Sequence, residues 1–104
     1  PDEDPEEVAA RELEEETGWR AGRFEPVGMA YPCIGYSNER IHVFTAHDLE
    51  RSTQALADGE FVEVVEMDFA EALSRARRGD LKDMKTVTAL IYAATHLNET
   101  SAPL

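Results

Sequence analysis

The stretch from Asp4 to Trp19, DPEEVAARELEEETGW, decides how the rest of the chain is read. Asp4 suits an N-cap, Pro5 fits the first helical position, and Glu7 stands at the capping-box spacing, so a helix is predicted to begin at Pro5. Glu6 and Glu7 complement the positive end of the helix dipole, and Glu7 is spaced to pair with Arg11. Gly18 supplies a left-handed stop. On a helix of 3.6 residues per turn, Glu12, Glu15 and Glu16 fall within an arc of roughly 100°. Ala9, Ala10, Leu13 and Thr17 occupy an adjoining, weakly apolar arc. One side can therefore pack on a core while the other gathers carboxylates, which repel one another unless a cation sits among them. Oxygen-only donors suit a hard divalent ion such as Mg²⁺ or Mn²⁺.

The remainder of the chain bounds what such a helix can serve. Its 104 residues are enough for one small domain, and a 42% hydrophobic fraction is ordinary for a folded protein. Asp and Glu number 22 against 10 Lys and Arg, a formal net charge of -12, which argues against binding nucleic acid or an anionic membrane through a basic surface. An anionic small substrate stays compatible, because a bound divalent metal reverses the local field. The single Cys33 leaves no internal disulfide and fits a reducing cytoplasm. No run is apolar for long enough to span a bilayer.

Working outward from the helix, Arg20 to Arg23 reads as a turn, followed by a strand from Phe24 to Tyr31 that Pro26 and Gly28 weaken. Pro32, Gly35, Ser37 and Asn38 mark a loop. Arg40 to His47 alternates as a strand, with both faces fairly apolar, which predicts an interior position. Asp48 to Gly59 is an acidic loop, and Phe61 to Met67 a third strand. Asp68 and Glu71 make a second capping-box spacing, opening a helix that ends at Arg78 before Gly79. A last helix is predicted from about Asp83 to His96, with Val87, Leu90, Ile91 and Ala94 as its buried stripe and a fraying tail from Asn98. His42, His47 and His96 lack metal-ligand spacing and read as structural or solvent-facing, and Cys33 as a bystander.

Glu3, seven residues, then Arg11-Glu12-Leu13-x-Glu15-Glu16-x-Gly18-Trp19 resembles the Nudix box, G-x5-E-x7-R-E-U-x-E-E-x-G-U, where U is bulky and apolar. Every fixed position from Glu3 onward is met. Without the Arg, Gly and Trp spacing, an acidic helix would read as a solvated face. The first Gly of the box would precede Pro1, so the resemblance implies a single domain over 1–104 that is N-terminally truncated, an expectation that an intact mass extending beyond Pro1 would meet. The element order is similar to the ADP-ribose pyrophosphatase branch. Its PGxSxE-like loop is represented by Gly35, Ser37 and Glu39, with Ile34 where that branch often has Pro, and Pro32 two residues early.

The resemblance implies an α/β Nudix fold, a mixed sheet sandwiched between helices, with N-terminal strands absent from this chain. It implies Mg²⁺-dependent (or Mn²⁺-dependent) hydrolysis of a nucleoside diphosphate sugar, ADP-ribose first, giving AMP and ribose 5-phosphate. Other nucleotide sugars, dinucleoside polyphosphates, oxidised nucleotides or a non-catalytic ligand-binding module are the alternatives. By the same resemblance Glu12, Glu15 and Glu16 are metal ligands, Glu3 supports the site, and Arg11 holds a carboxylate by a charge-assisted hydrogen bond. Relatives carry a catalytic carboxylate before the last strand, which points to Glu60 as general base, then Glu63, then Asp58. Glu39 and Tyr36 are candidate substrate contacts, with loop closure and packing as their other readings. A homodimer is expected from the resemblance alone.

Overall fold

The computed structural model describes residues 3–36, 38–56 and 59–101, with side chains up to residue 97. Ser37 of the loop motif and Asp58 lie outside the described residues. The elements run α1 (Pro5–Thr17), β1 (Trp19–Ala30), β2 (Ile41–Arg51), α2 (Phe69–Arg78) and α3 (Met84–Ser101). They divide into two compact units, one of Pro1–Glu25 with Thr45–Glu66 and one of Pro26–Phe44 with Met67–Leu104. No helix among the described residues is long and apolar enough to cross a membrane.

In the first unit, α1 starts at Pro5 as predicted and ends at Gly18, whose φ of 76° is the left-handed conformation that lets its N–H turn back to the Glu14 carbonyl. Asp4 is the N-cap residue, yet its side chain makes no capping bond, so the predicted capping box is absent. The helix leaves Arg11, Glu12, Glu15 and Glu16 exposed, while Ala9, Ala10, Leu13, Glu14 and Thr17 are half-buried. This is the amphipathic division read from the sequence, with Glu14 added to the inner side.

The turn predicted at Arg20–Arg23 is instead the start of β1. Gly22 lies against the neighbouring strand, where an added Cβ would come within 3.1 Å of Asp48 Cβ, so this glycine serves close packing and not a turn. Ser52 N–H bonds the Gly18 carbonyl, and Gly22 faces Asp48. Partners on β2 thus fall in number as those on β1 rise, and the strands run antiparallel. β2 also extends to Arg51, beyond the predicted end at His47.

Phe61–Met67 is not a strand. The sheet of the described residues holds β1 and β2 alone, so the predicted third strand finds no ladder to join, and β2 has a single neighbour in place of the predicted interior position. Phe61 is 95% exposed. Val64 and Val65, both exposed, line an open groove with Leu13, Trp19 and Leu49.

The second unit holds the buried hydrophobic residues Val43, Ala76 and Ala93. α2 ends at Gly79 as predicted, with φ 81° and its N–H returned to Arg75 and Ala76 carbonyls. Asp68 makes no side-chain cap, and Glu71 pairs with Arg75 at 3.0 Å in place of the predicted capping box. α3 is capped by Asp83, whose Oδ2 accepts from Thr86 N–H at 2.9 Å and from its hydroxyl at 2.7 Å. The helix continues to Ser101, past the predicted end. α2 packs on α3. The buried position of α3 is Ala93, whereas Ile91, predicted in the stripe, is 46% exposed. Gly28 explains the rotation: an added Cβ there would stand 2.7 Å from Tyr92 Cε2, so the tyrosine ring lies flush on β1 and its own face of α3 turns inward.

Candidate metal and catalytic site

Within the first unit, the carboxylates predicted as metal ligands, Glu12, Glu15 and Glu16, share the exposed face of α1. No side-chain hydrogen bond or ion pair engages these three among the described residues; the charges of Glu15 and Glu12 act on Arg11. No three His, Cys, Asp or Glu side chains among the described residues stand together as a ready-made metal cage. Like charges on neighbouring helical positions repel one another. The donor set nevertheless fits a hard divalent ion, because its oxygens are carboxylate, exposed and uncommitted.

Arg11 does not pair with Glu7, as its four-residue spacing predicted. Its Nη1 donates to Glu3 Oε2 at 2.7 Å. The shared proton and the positive charge hold the Glu3 carboxyl below its usual range and raise Arg11. These are two fixed positions of the motif, so the structure supplies a physical reason for their separation: eight residues bring the chain entry back over the second turn of α1.

Glu14, at an unconstrained position of the motif, is used differently. Its Oε2 accepts from Ser52 Oγ and, at 2.8 Å, from Arg20 Nη2. The Ser52 bond first, and Arg20 second, lower its pKa. Sequence reading missed this residue, although its place on the helical wheel, away from Glu12, Glu15 and Glu16, was the available signal.

The end of α1 is tied to the segment after β2. Ala55 N–H bonds the Glu15 carbonyl at 2.7 Å, and Gln54 Nε2 donates to the Glu16 carbonyl at 2.7 Å and to the Val62 carbonyl at 3.3 Å. Glu60 and Glu63, the candidate bases, are exposed on either side of Val62. The structure thus brings their backbone to the end of the carboxylate helix. Beside it, Arg51 stacks on Trp19, the apolar residue closing the motif, with its guanidinium carbon 4.6 Å from the ring centroid.

In the second unit, Tyr36 N–H bonds the Cys33 carbonyl at 3.2 Å, and Gly35, third in this four-residue turn, has φ 92°. That positive φ is what a type II turn requires, and Ile34 occupies the position where such turns favour proline. The turn closes without it. Tyr36 is 93% exposed, and Glu39 is exposed as well. Neither lines the open cavity of about 500 Å³ in this loop, which is formed by Tyr31, Ile34, Gly35, Asn38 and Arg40, with Arg40 6.0 Å from the Tyr31 ring centroid. His42 is exposed and Cys33 is a free, exposed thiol, while in the first unit His47 is half-buried with Nε2 2.9 Å from Thr45 Oγ1.

This exposed acidic face, with its Glu3 tie and glycine stop, is the form the motif takes in the structure. The chain belongs to the NUDIX family, whose domain pattern matches residues 1–90. It is 38% identical over 92 residues to the ADP-ribose pyrophosphatase of Bacillus subtilis, covering 86% of this chain and 50% of that protein. It is 39% identical over 92 residues to a GDP-mannose pyrophosphatase of Cronobacter sakazakii, covering 86% and 48%. A methanol dehydrogenase activator of Bacillus methanolicus is 37% identical, covering 86% and 50%. The crystal structure of an ADP compounds hydrolase superposes with a TM-score of 0.83 at 22% identity, over 99% of this chain and 56% of that one, and shows the same α/β fold. The chain spans about half the length of the curated relatives it matches.

Proposed function

We propose that the protein is a metal-dependent pyrophosphohydrolase that cleaves the diphosphate of a nucleoside diphosphate sugar, with ADP-ribose as first substrate and AMP and ribose 5-phosphate as products. The observation that carries this reading is the exposed face of α1, where among the described residues Glu12, Glu15 and Glu16 make no side-chain hydrogen bond or ion pair while neighbouring Glu14 is engaged by Ser52 and Arg20. The names of the two pyrophosphatase relatives support the substrate class. Magnesium is the proposed metal, and the active form a cytoplasmic homodimer.

Glu12, Glu15 and Glu16 would hold the metal, and Arg11 would keep Glu3 oriented beside them. When bound, a divalent ion neutralises diphosphate charge and makes a coordinated water more acidic. In the hydrolysis, the water oxygen bonds to one phosphorus, the bond from that phosphorus to the bridging oxygen breaks, and the second phosphate leaves with that oxygen. Glu60 takes the proton from the attacking water, with Glu63 as the alternative base. Glu39 and Tyr36 contribute substrate contacts from the loop before β2.

The test is a panel of ADP-ribose, GDP-mannose, dinucleoside polyphosphates and oxidised nucleotides with the full-length protein and Mg²⁺, using Glu16→Gln as control. Metal-dependent release of AMP from ADP-ribose, lost in the control, is expected. Preference for GDP-mannose would move the substrate within the class. Binding without turnover of any compound would replace the hydrolase by a ligand-binding module.

A further inference from the structure

We propose that Gln54 is a positioning residue that sets the register of the Glu60–Glu63 segment against the end of the carboxylate helix. This inference rests on the reading of Glu60 or Glu63 as the base. A helix leaves its last carbonyls without intrahelical donors. At the end of α1, Leu13 O receives the Thr17 hydroxyl at 2.5 Å, Glu14 O receives Gly18 N–H at 2.9 Å, and Glu15 O receives Ala55 N–H at 2.7 Å. Glu16 O receives the side-chain amide of Gln54 at 2.7 Å.

A primary amide carries two N–H donors on one nitrogen. Gln54 uses its Nε2 for two carbonyls, the second being Val62 O at 3.3 Å. One of those carbonyls belongs to Glu16, a candidate metal ligand, and the other to the residue immediately before Glu63 and two after Glu60. The segment from 60 to 68 has no helix or ladder bonds to fix its register. A two-carbonyl bridge therefore sets the spacing between the metal-binding face and the candidate base. Gln54 is itself held close, since an added Cβ at Gly18 would lie 3.2 Å from Gln54 N and 3.7 Å from its Cβ.

The experiment uses the full-length protein and two variants, Gln54→Met, which keeps the length of the side chain without its donors, and Gln54→Ala. Two readouts are taken: amide hydrogen exchange across residues 59–66, and steady-state kinetics over a range of pH. The bridge predicts faster exchange in that segment for both variants, with exchange in α2 and α3 unchanged. It predicts kcat lower by about tenfold at neutral pH with KM unchanged. That deficit should shrink as pH rises and hydroxide substitutes for a positioned base, a change that general loss of packing would not produce. Wild-type exchange in Gln54→Met overturns the bridge. Faster exchange with an unchanged kcat and pH profile overturns its role in positioning the base. If the wild type turns over no substrate, the hydrolase reading fails, and with it the catalytic role of Gln54, while the exchange readout still decides the bridge.

Discussion

Arg11 Nη1 donates to Glu3 Oε2 at 2.7 Å, closing a link between side chains eight residues apart at the entry to α1. Its bond and charge lower the Glu3 pKa from the usual 4.5. A carboxyl with a depressed folded pKa contributes stability that is present above 4.5 and lost as pH falls through the lowered value. The link therefore stays closed at neutral pH and opens only in acid. NMR titration of Glu3 should give an inflection below 4.5, and Arg11→Met should return it toward that value. An unshifted Glu3 in the wild type would contradict the pairing.

The acidic face of α1 should trade stability against metal binding. Glu12, Glu15 and Glu16 repel one another at helical neighbour positions, so Glu12→Gln should raise the melting temperature of the metal-free protein by about 1–2 °C. The same change should weaken Mg²⁺ binding by about tenfold or more, read by calorimetry. A variant that melts lower without metal would show that the face is structural.

Two helix-ending glycines separate backbone strain from crowding. Gly18 and Gly79 have φ of 76° and 81°, but an added Cβ meets Gln54 N at 3.2 Å at Gly18 and nothing within 4 Å at Gly79. Gly79→Ala should cost about 1 kcal/mol from the left-handed backbone alone. Gly18→Ala should cost about 2 kcal/mol or more, because the segment at Gln54 must also shift. Equal losses in urea unfolding would remove the crowding argument.

The loop before β2 offers a stabilising change. Ile34 is 80% exposed and precedes Gly35 at φ 92° in a closed turn, so Ile34→Pro fits the second turn position and restricts the unfolded chain. A gain of about 0.5 kcal/mol in chemical unfolding is expected. A loss would mean that the turn is not type II.

Several features are legible in the sequence because they depend on residues near one another in the chain. The bounds of α1 followed from Pro5 and Gly18, the end of α2 from Gly79, and the acidic face from helical periodicity. The Nudix spacing assigned the family. Phe61–Met67 shows the limit of such reading: it is predicted as a strand, but a strand exists only where another edge receives its hydrogen bonds, and sequence spacing does not name that edge.

By itself, then, the sequence determined which residues form α1, where it stops, and that Glu12, Glu15 and Glu16 share one face. Helical hydrogen bonds and the 3.6-residue repeat act over a few residues, so local order sufficed. Tertiary structure alone decided that Arg11 takes Glu3 and not Glu7, that Glu14 is bound by Ser52, and that Gln54 joins Glu16 to Val62. Those partners are far apart in the chain or lie outside any helical repeat. Their pairing depends on where the backbone returns and on which carbonyls and carboxylates still lack a donor when it arrives.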